Sequence, residues 1–253
     1  LAPRTLSGGR AISTTFFVAK NTLWPHVNWY KLVNLAAPSE YINGPNLLSW
    51  QLRFCRFSGD MAATRIKICG VTRAQDARSS AASGADAIGL VFYAGSSRAV
   101  TVDQAIDIVS AVPPFVSVVA LFVNEPMANI ERVLSAMPID VIQFHGDESP
   151  SFCEQFGRPW VKALRMKAGV DIAEECRRFS NARGVLLDSW QEGVAGGTGK
   201  TFDWRLAKKA LPLPVVLAGG LDSDNVGGGI RALRPAAVDV SGGVEISPGI
   251  KDS

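Results

Sequence analysis

From residue 65 onward, apolar runs of five to seven residues alternate with polar segments of helical length. The strand-like runs fall at 65–70, 87–92, 117–123, 141–146, 160–166, 184–189, 215–220 and 238–242. Helical segments lie between them at 73–83, 102–111, 126–136, 149–157, 170–180, 203–210 and 224–233. Most of the strand runs are Val, Ile and Leu without strict polar alternation, as expected when both faces of a parallel sheet are buried. Eight strands separated by helices call for a closed parallel barrel or a doubly wound sheet. No Gly-x-Gly-x-x-Gly follows the first strand, which argues against a dinucleotide fold. The count of eight favours an α/β (β/α)8 TIM barrel.

Such a barrel ends with a helix that covers its eighth and first strands. Here the sequence reaches only Ser253, a short way past the last strand, so the final helix is expected to be missing or at most begun at Pro248. Each large apolar side chain left uncovered would cost about 1.5–3 kcal/mol.

Residues 1–60 show neither helical nor strand periodicity. They hold Trp24, Trp29 and Trp50 but only two acids, Glu40 and Asp60. The chain begins with Leu1, and Met61 stands just before the first regular strand. Upstream sequence without its own fold, a targeting leader and a true extension all fit. The acid-free stretch 1–39, with Arg4, Ser7, Arg10 and Ser13, has transit-peptide-like composition, a weak signal for an organelle. The expected division is therefore a poorly ordered extension at 1–60 and a barrel domain at 61–253.

The rest of the composition narrows the class. At 47% hydrophobic and 19% charged, the chain reads as an ordinary soluble protein. A net charge of +3 is too small for a nucleic-acid footprint. No apolar run reaches 18 residues, so no membrane helix is expected. Cys55, Cys69, Cys153 and Cys176 are far apart, which favours reduced thiols in the cytoplasm over disulfides or a zinc site. Two histidines, His26 and His145, make a His-based metal centre unlikely; no metal and no cofactor is expected.

In a barrel, chemistry gathers at the carboxyl ends of the strands. The first strand ends in Cys69, and a buried structural thiol is the alternative to a catalytic one. The second leads to Arg98, able to hold a carboxylate in a bidentate fork or to stand solvated. The fourth ends in Gln143-Phe144-His145-Gly146, where His145 either contacts substrate or caps the strand. The sixth ends in Asp188, where desolvation favours the protonated form a general acid needs; capping the next helix is the other reading. Loops Ala218-Gly219-Gly220-Leu221 and Asp239-Val240-Ser241-Gly242-Gly243-Val244-Glu245 follow the last two strands. Adjacent glycine-rich loops at these positions suit a phosphate group, although tight turns also require glycine. Gly196-Gly197-Thr198-Gly199-Lys200-Thr201 is not a P-loop, since its first Gly would fall on Val194. A lid over the barrel mouth fits that segment better.

Taken together, these residues resemble phosphoribosylanthranilate isomerase. The likeness runs from 65 to 252. It is carried by Lys67-Ile68-Cys69-Gly70, Gly84-Ala85-Asp86-Ala87, Gly89 to Tyr93 with Ser97-Arg98, Phe122-Val123-Asn124, Gln143-Phe144-His145-Gly146, Leu186-Leu187-Asp188, Gly199-Lys200-Thr201-Phe202-Asp203-Trp204, Asp239-Val240-Ser241 and Pro248-Gly249-Ile250-Lys251-Asp252. Ala218 and Gly242 depart from the family pattern, which usually has Ser at both. The resemblance implies a cofactor-free Amadori rearrangement of N-(5-phosphoribosyl)anthranilate in tryptophan biosynthesis. Cys69 would act as thiolate base and Asp188 as acid. Arg98 would hold the anthranilate carboxylate, His145 and Asp239 would contact substrate, and Gly219, Gly220, Ser241 and Gly242 would bind phosphate. The partner implied is a small phosphorylated substrate, with no nucleic acid or membrane, in a monomer or homodimer. Indole-3-glycerol-phosphate synthase, a ribulose-phosphate epimerase and a non-catalytic phosphate binder are the competing readings. The first lacks its Lys/Glu-rich mouth here, and the second its paired acids or metal site.

Overall fold

The computed structural model describes residues 64–166, 171–189, 204 and 211–252. The expected 1–60 extension, the 196–201 lid and the 203–210 helix apart from Trp204 lie outside the described residues.

Eight parallel strands close into a barrel in chain order, with β8 paired back onto β1. They are β1 (Arg65–Cys69), β2 (Ala87–Val91), β3 (Ser117–Phe122), β4 (Val141–Phe144), β5 (Trp160–Met166), β6 (Gly184–Ser189), β7 (Val215–Leu217) and β8 (Ala237–Val240). The described helices are α1 (Ala74–Ala82), α2 (Val102–Ser110), α3 (Met127–Ala136), α4 (Pro150–Cys153, continued as a 3-10 turn), α5 (Ile172–Arg178) and α6 (Val226–Leu233). Closure is set by register, in which Lys67 lies opposite Asp239 and Ile68 opposite Val240. No helix among the described residues is long and apolar enough to cross a membrane.

Local chemistry explains the helix starts. Thr101 and Gln104 form a reciprocal capping box on α2, and Ser149 caps α4 with Pro150 in its first turn. Asp171 caps α5 by accepting from the Ala173 and Glu174 N–H groups. Outward strand residues pack on the helices in a layer holding Ile88, Leu90, Phe122, Ile142 and Leu187, each nearly solvent-free. Burying each such side chain contributes about 1.5–3 kcal/mol.

Several strands stop earlier than the apolar runs suggest. β1 ends at Cys69 because Gly70 turns with φ +71°, and β7 ends at Leu217 because Gly219 and Gly220 have φ of +84° and +62°. Of the two expectations for this segment, the second is not met: no helix begins at Pro248. Pro248 and Gly249 instead form the turn of an antiparallel hairpin, β9 (Glu245–Ser247) with β10 (Ile250–Lys251). Gly249 has φ +81°, a turn conformation that a helix cannot use. The hairpin returns to β1: the Thr72 hydroxyl donates to the Gly249 carbonyl, and Lys251 N–H donates to Asp76.

Candidate active site

Strand alternation puts Lys67 and Cys69 on the same, inward side of β1. Cys69 is buried with Val91 and Leu121 near the mouth of the barrel. One strand across, a side chain at Gly89 would have its Cβ 2.8 Å from Cys69 Sγ and 3.0 Å from Lys67 Nζ, so both atoms crowd the same point. Lys67 Nζ reaches both Asp239 carboxylate oxygens at 2.9 Å. Burial pushes the Cys69 thiol up, and the Asp239 carboxylate adds to it, while Lys67 and Lys251 pull it down. A thiolate base at Cys69 therefore has to form against burial, with the two lysines as its nearest support.

Asp188 is buried at the end of β6. Its Oδ2 lies 3.1 Å from His145 Nε2, whose Nδ1 in turn lies 3.0 Å from Gln143 Nε2. Sequence reasoning placed His145 against substrate; the structure sets one of its nitrogens on the proposed acid. The turn carrying His145 is itself pinned. Glu148 accepts the N–H groups of Asn124 and Gly146, and buried Lys162 joins Glu148 to the Gly146 carbonyl. Position 146 admits only glycine, since a Cβ there would lie 2.3 Å from Asn124 Oδ1.

Arg98 is not solvated. Its Nε and Nη2 form a fork on Glu245, with Nε–Oε1 at 2.9 Å and Nη2–Oε2 at 2.7 Å. Lys251 Nζ donates to the same carboxylate at 2.7 Å and to the Cys69 carbonyl at 2.6 Å. Burial works against the Glu245 charge, but these hydrogen bonds from Arg98 and Lys251 override it and hold its carboxyl below the usual range. Sequence reasoning missed Glu245 and Lys251 as site residues. The signal available was an acid and a base flanking Pro248-Gly249, a turn that brings them together.

The loops after β7 and β8 form one wall. Asp222 and Gly243 make a parallel bridge, and a Cβ at Gly243 would collide with the Leu221 carbonyl. Gly219 packs against Ser189 beside Asp188, and Gly242 lies against Arg98. Among the described residues, no hydrogen bond engages the N–H groups of Gly219, Gly220 or Gly242. Two other residues assigned to substrate are engaged internally. The Ser241 hydroxyl donates to the Cys69 carbonyl at 3.0 Å, and Asp239 is held by Lys67. A cavity of about 460 Å³ lined by Gly146, Glu148, Lys162, Arg165 and Arg178 includes neither Cys69 nor Asp188.

A closed parallel barrel with a thiol on β1, a carboxyl on β6 and glycine loops after β7 and β8 has the architecture of the (β/α)8-barrel enzymes, with polar groups gathered at the strand ends. Residues 66–253 match the profile of the N-(5'phosphoribosyl)anthranilate (PRA) isomerase family. The chain belongs to that family. It is 59% identical over 192 residues to the N-(5'-phosphoribosyl)anthranilate isomerase of Pseudomonas syringae pv. tomato, covering 76% of this chain and 93% of the relative. The solved phosphoribosyl anthranilate isomerase of Thermotoga maritima is 40% identical with a TM-score of 0.66, over 75% of this chain and 93% of that one. A further family structure, 37% identical with a TM-score of 0.63 over the same shares, is a complex with reduced 1-(o-carboxyphenylamino)-1-deoxyribulose 5-phosphate.

Proposed function

We propose that Cys69 and Asp188 are the base and the acid by which this chain performs the isomerisation of its family. The reaction converts N-(5-phospho-D-ribosyl)anthranilate to 1-(2-carboxyphenylamino)-1-deoxy-D-ribulose 5-phosphate. The observation that carries the residue assignment is the arrangement of two buried groups, a thiol on β1 and a carboxyl on β6, at the mouth of one barrel. They stand three strands apart around the ring, so they can address different substrate atoms from opposite sides.

In the reacting arrangement the thiol is ionised and the carboxyl protonated. Asp188 gives its proton to the furanose ring oxygen, the C1′–O bond breaks, and a protonated Schiff base forms at C1′. Cys69 thiolate takes the C2′ proton, and the electron pair moves to C1′=C2′ and onto nitrogen. The resulting enolamine loses its hydroxyl proton and gains one at C1′, giving the ketone. The enzyme is left as thiol and carboxylate, and proton return from Cys69 to Asp188 closes the cycle.

Binding follows from the remaining donors. Glu245 occupies the Nε–Nη2 edge of Arg98, which leaves the Nη1–Nη2 edge for the anthranilate carboxylate. Backbone N–H groups of Gly219, Gly220 and Gly242, near the start of α6, suit the phosphate. Asp239 and the Ser241 hydroxyl are better read as supports of Lys67 and Cys69 than as ligands. The occupant is thus a small phosphorylated molecule. Three free, buried cysteines fit a reducing compartment such as the cytoplasm.

The test is the decay of phosphoribosylanthranilate fluorescence on adding the chain, its Cys69→Ser variant or its Asp188→Asn variant, with near-UV circular dichroism on each. Loss of about 10²-fold or more in turnover by folded variants supports the two roles. Parental turnover in either folded variant removes that residue from the chemistry.

A further inference from the structure

A barrel interior has little use for a buried ammonium group, and lysine is almost never fully buried unless paired. Lys67 is 7% exposed, Cys69 6% and Asp239 8%, so the three polar groups share a dry space. Asp239 takes up two of the three ammonium N–H directions. Sγ and Nζ both crowd the point beside Gly89, so the third N–H and the sulfur share one small space.

Among the described residues, the charged groups that act most on Cys69 come from several elements. Lys67 comes from β1, Asp239 from β8, Lys251 from β10, Glu245 from β9, and Arg98 from the segment between β2 and α2. They are three cations and two carboxylates, linked by the Lys67–Asp239, Arg98–Glu245 and Lys251–Glu245 pairs. The set carries one positive charge in excess, and a thiolate at Cys69 balances it. A buried ion pair used only to close the barrel would gain nothing over apolar residues of similar volume. Its place two residues before Cys69, on the same face, accounts for the choice.

We propose that Lys67, held in place by Asp239, is a positioning residue for the isomerisation, supplying the fixed positive charge against which the Cys69 thiolate forms. The proposal rests on the reading of Cys69 as the base. Burial opposes the Lys67 ammonium, but the Asp239 carboxylate and Cys69 more than offset it and push its pKa up to about 12, so the charge persists at every working pH.

The test follows modification of Cys69 by methyl methanethiosulfonate between about pH 7 and 9, read peptide by peptide by mass spectrometry. It compares the parent with Lys67→Met, Lys67→Gln and the double variant Lys67→Met/Asp239→Leu, and adds kcat and KM for each. The double variant removes both charges and restores an apolar, foldable pair. Expected is a fall of about tenfold or more in the Cys69 rate at each pH in the folded Lys67→Met and Lys67→Gln variants, equal to a rise of one pH unit or more in ionisation; the double variant, which also removes the opposing Asp239 carboxylate, should recover part of the rate. kcat should fall with the modification rate while KM stays near the parent value. Parental modification rates in the folded Lys67→Gln variant overturn the proposal, as does a loss of turnover without slower modification, or a double variant slower than Lys67→Met. If Cys69→Ser keeps its turnover while Lys67 variants still slow modification, Cys69 is not the base, yet Lys67 governs its ionisation.

Discussion

His145 Nε2 stands 3.1 Å from Asp188 Oδ2, and its other nitrogen is held 3.0 Å from the Gln143 amide. With the Gln143 amide nitrogen donating to Nδ1, the imidazole carries its proton on Nε2 and donates to an ionised Asp188. With the amide turned over, Oε1 accepts from Nδ1–H, and Nε2 is free to accept from a protonated Asp188. Gln143 Oε1 is buried without a partner in the observed arrangement, and turning the amide exchanges one hydrogen bond to Nδ1 for another of opposite direction. The imidazole can thus follow the acid through both of its protonation states.

Removing this support should act on turnover rather than on binding. His145→Ala is expected to lower kcat about tenfold or more, with KM changed less, because it removes a charge-assisted hydrogen bond from Asp188 without touching the phosphate or carboxylate grips. Steady-state kinetics on phosphoribosylanthranilate check this; a rise in KM with unchanged kcat would return His145 to a plain substrate contact.

Burial and Asp239 push the Cys69 thiol up from its ordinary value. Its rate of alkylation by iodoacetamide should therefore climb about tenfold per pH unit from roughly pH 7 to 9, without levelling. A thiol with a lowered pKa would instead reach a plateau in that window. Cys153, pushed up to about 12 by burial, serves as the internal slow reference.

Glu245 ties Arg98 and Lys251 to one carboxylate. Glu245→Ala would leave the buried Lys251 ammonium and the half-buried Arg98 guanidinium without their shared carboxylate and is expected to cost about 3 kcal/mol, read by urea unfolding at neutral pH. The pH dependence has a definite sign. Because the folded carboxyl titrates below its ordinary value of 4.5, its contribution is present above that value and is lost as pH falls through the folded pKa. The variant, less stable at neutral pH, should show a shallower loss of stability below about pH 4.5 than the parent. Equal slopes would mean that Glu245 carries no such linkage.

Gly70 joins the base to the carboxylate grip. Its φ of +71° strains any L side chain, and a Cβ there would lie 2.4 Å from Arg98 Cδ and 3.0 Å from Ser241 Oγ. Gly70→Ala should displace Arg98 and raise KM about tenfold or more, the worth of a charged hydrogen bond, while costing about 1–3 kcal/mol in strain. Unchanged KM and stability would show that Arg98 gives way without loss.

The barrel was legible because its signals are local. Eight Val/Ile/Leu runs, their spacing and the polar stretches between them depend on residues near in sequence, as do caps such as Thr101 with Gln104 and Asp171. The strand ends were legible within a few residues, and with them the positions of Cys69, Asp188 and Arg98. The hairpin at 245–251 was not. Glu245-Ile246-Ser247 is too short to show a period, and its stability comes from partners such as Asp76, Thr72 and Arg98 nearly 150 residues or more away.

What the sequence by itself determined was the alternation that closes a parallel barrel, and the chemical groups standing at the mouth of that barrel. What only the tertiary structure decided was which group each of them faces. Asp239 pairs with Lys67, Ser241 with the Cys69 carbonyl, Arg98 with Glu245, and His145 with Asp188. Closure of the ring and the return of the hairpin bring together residues up to 182 positions apart. Desolvation there makes an unpaired charge costly, so partners are chosen by proximity in space and by the need to satisfy every buried polar group.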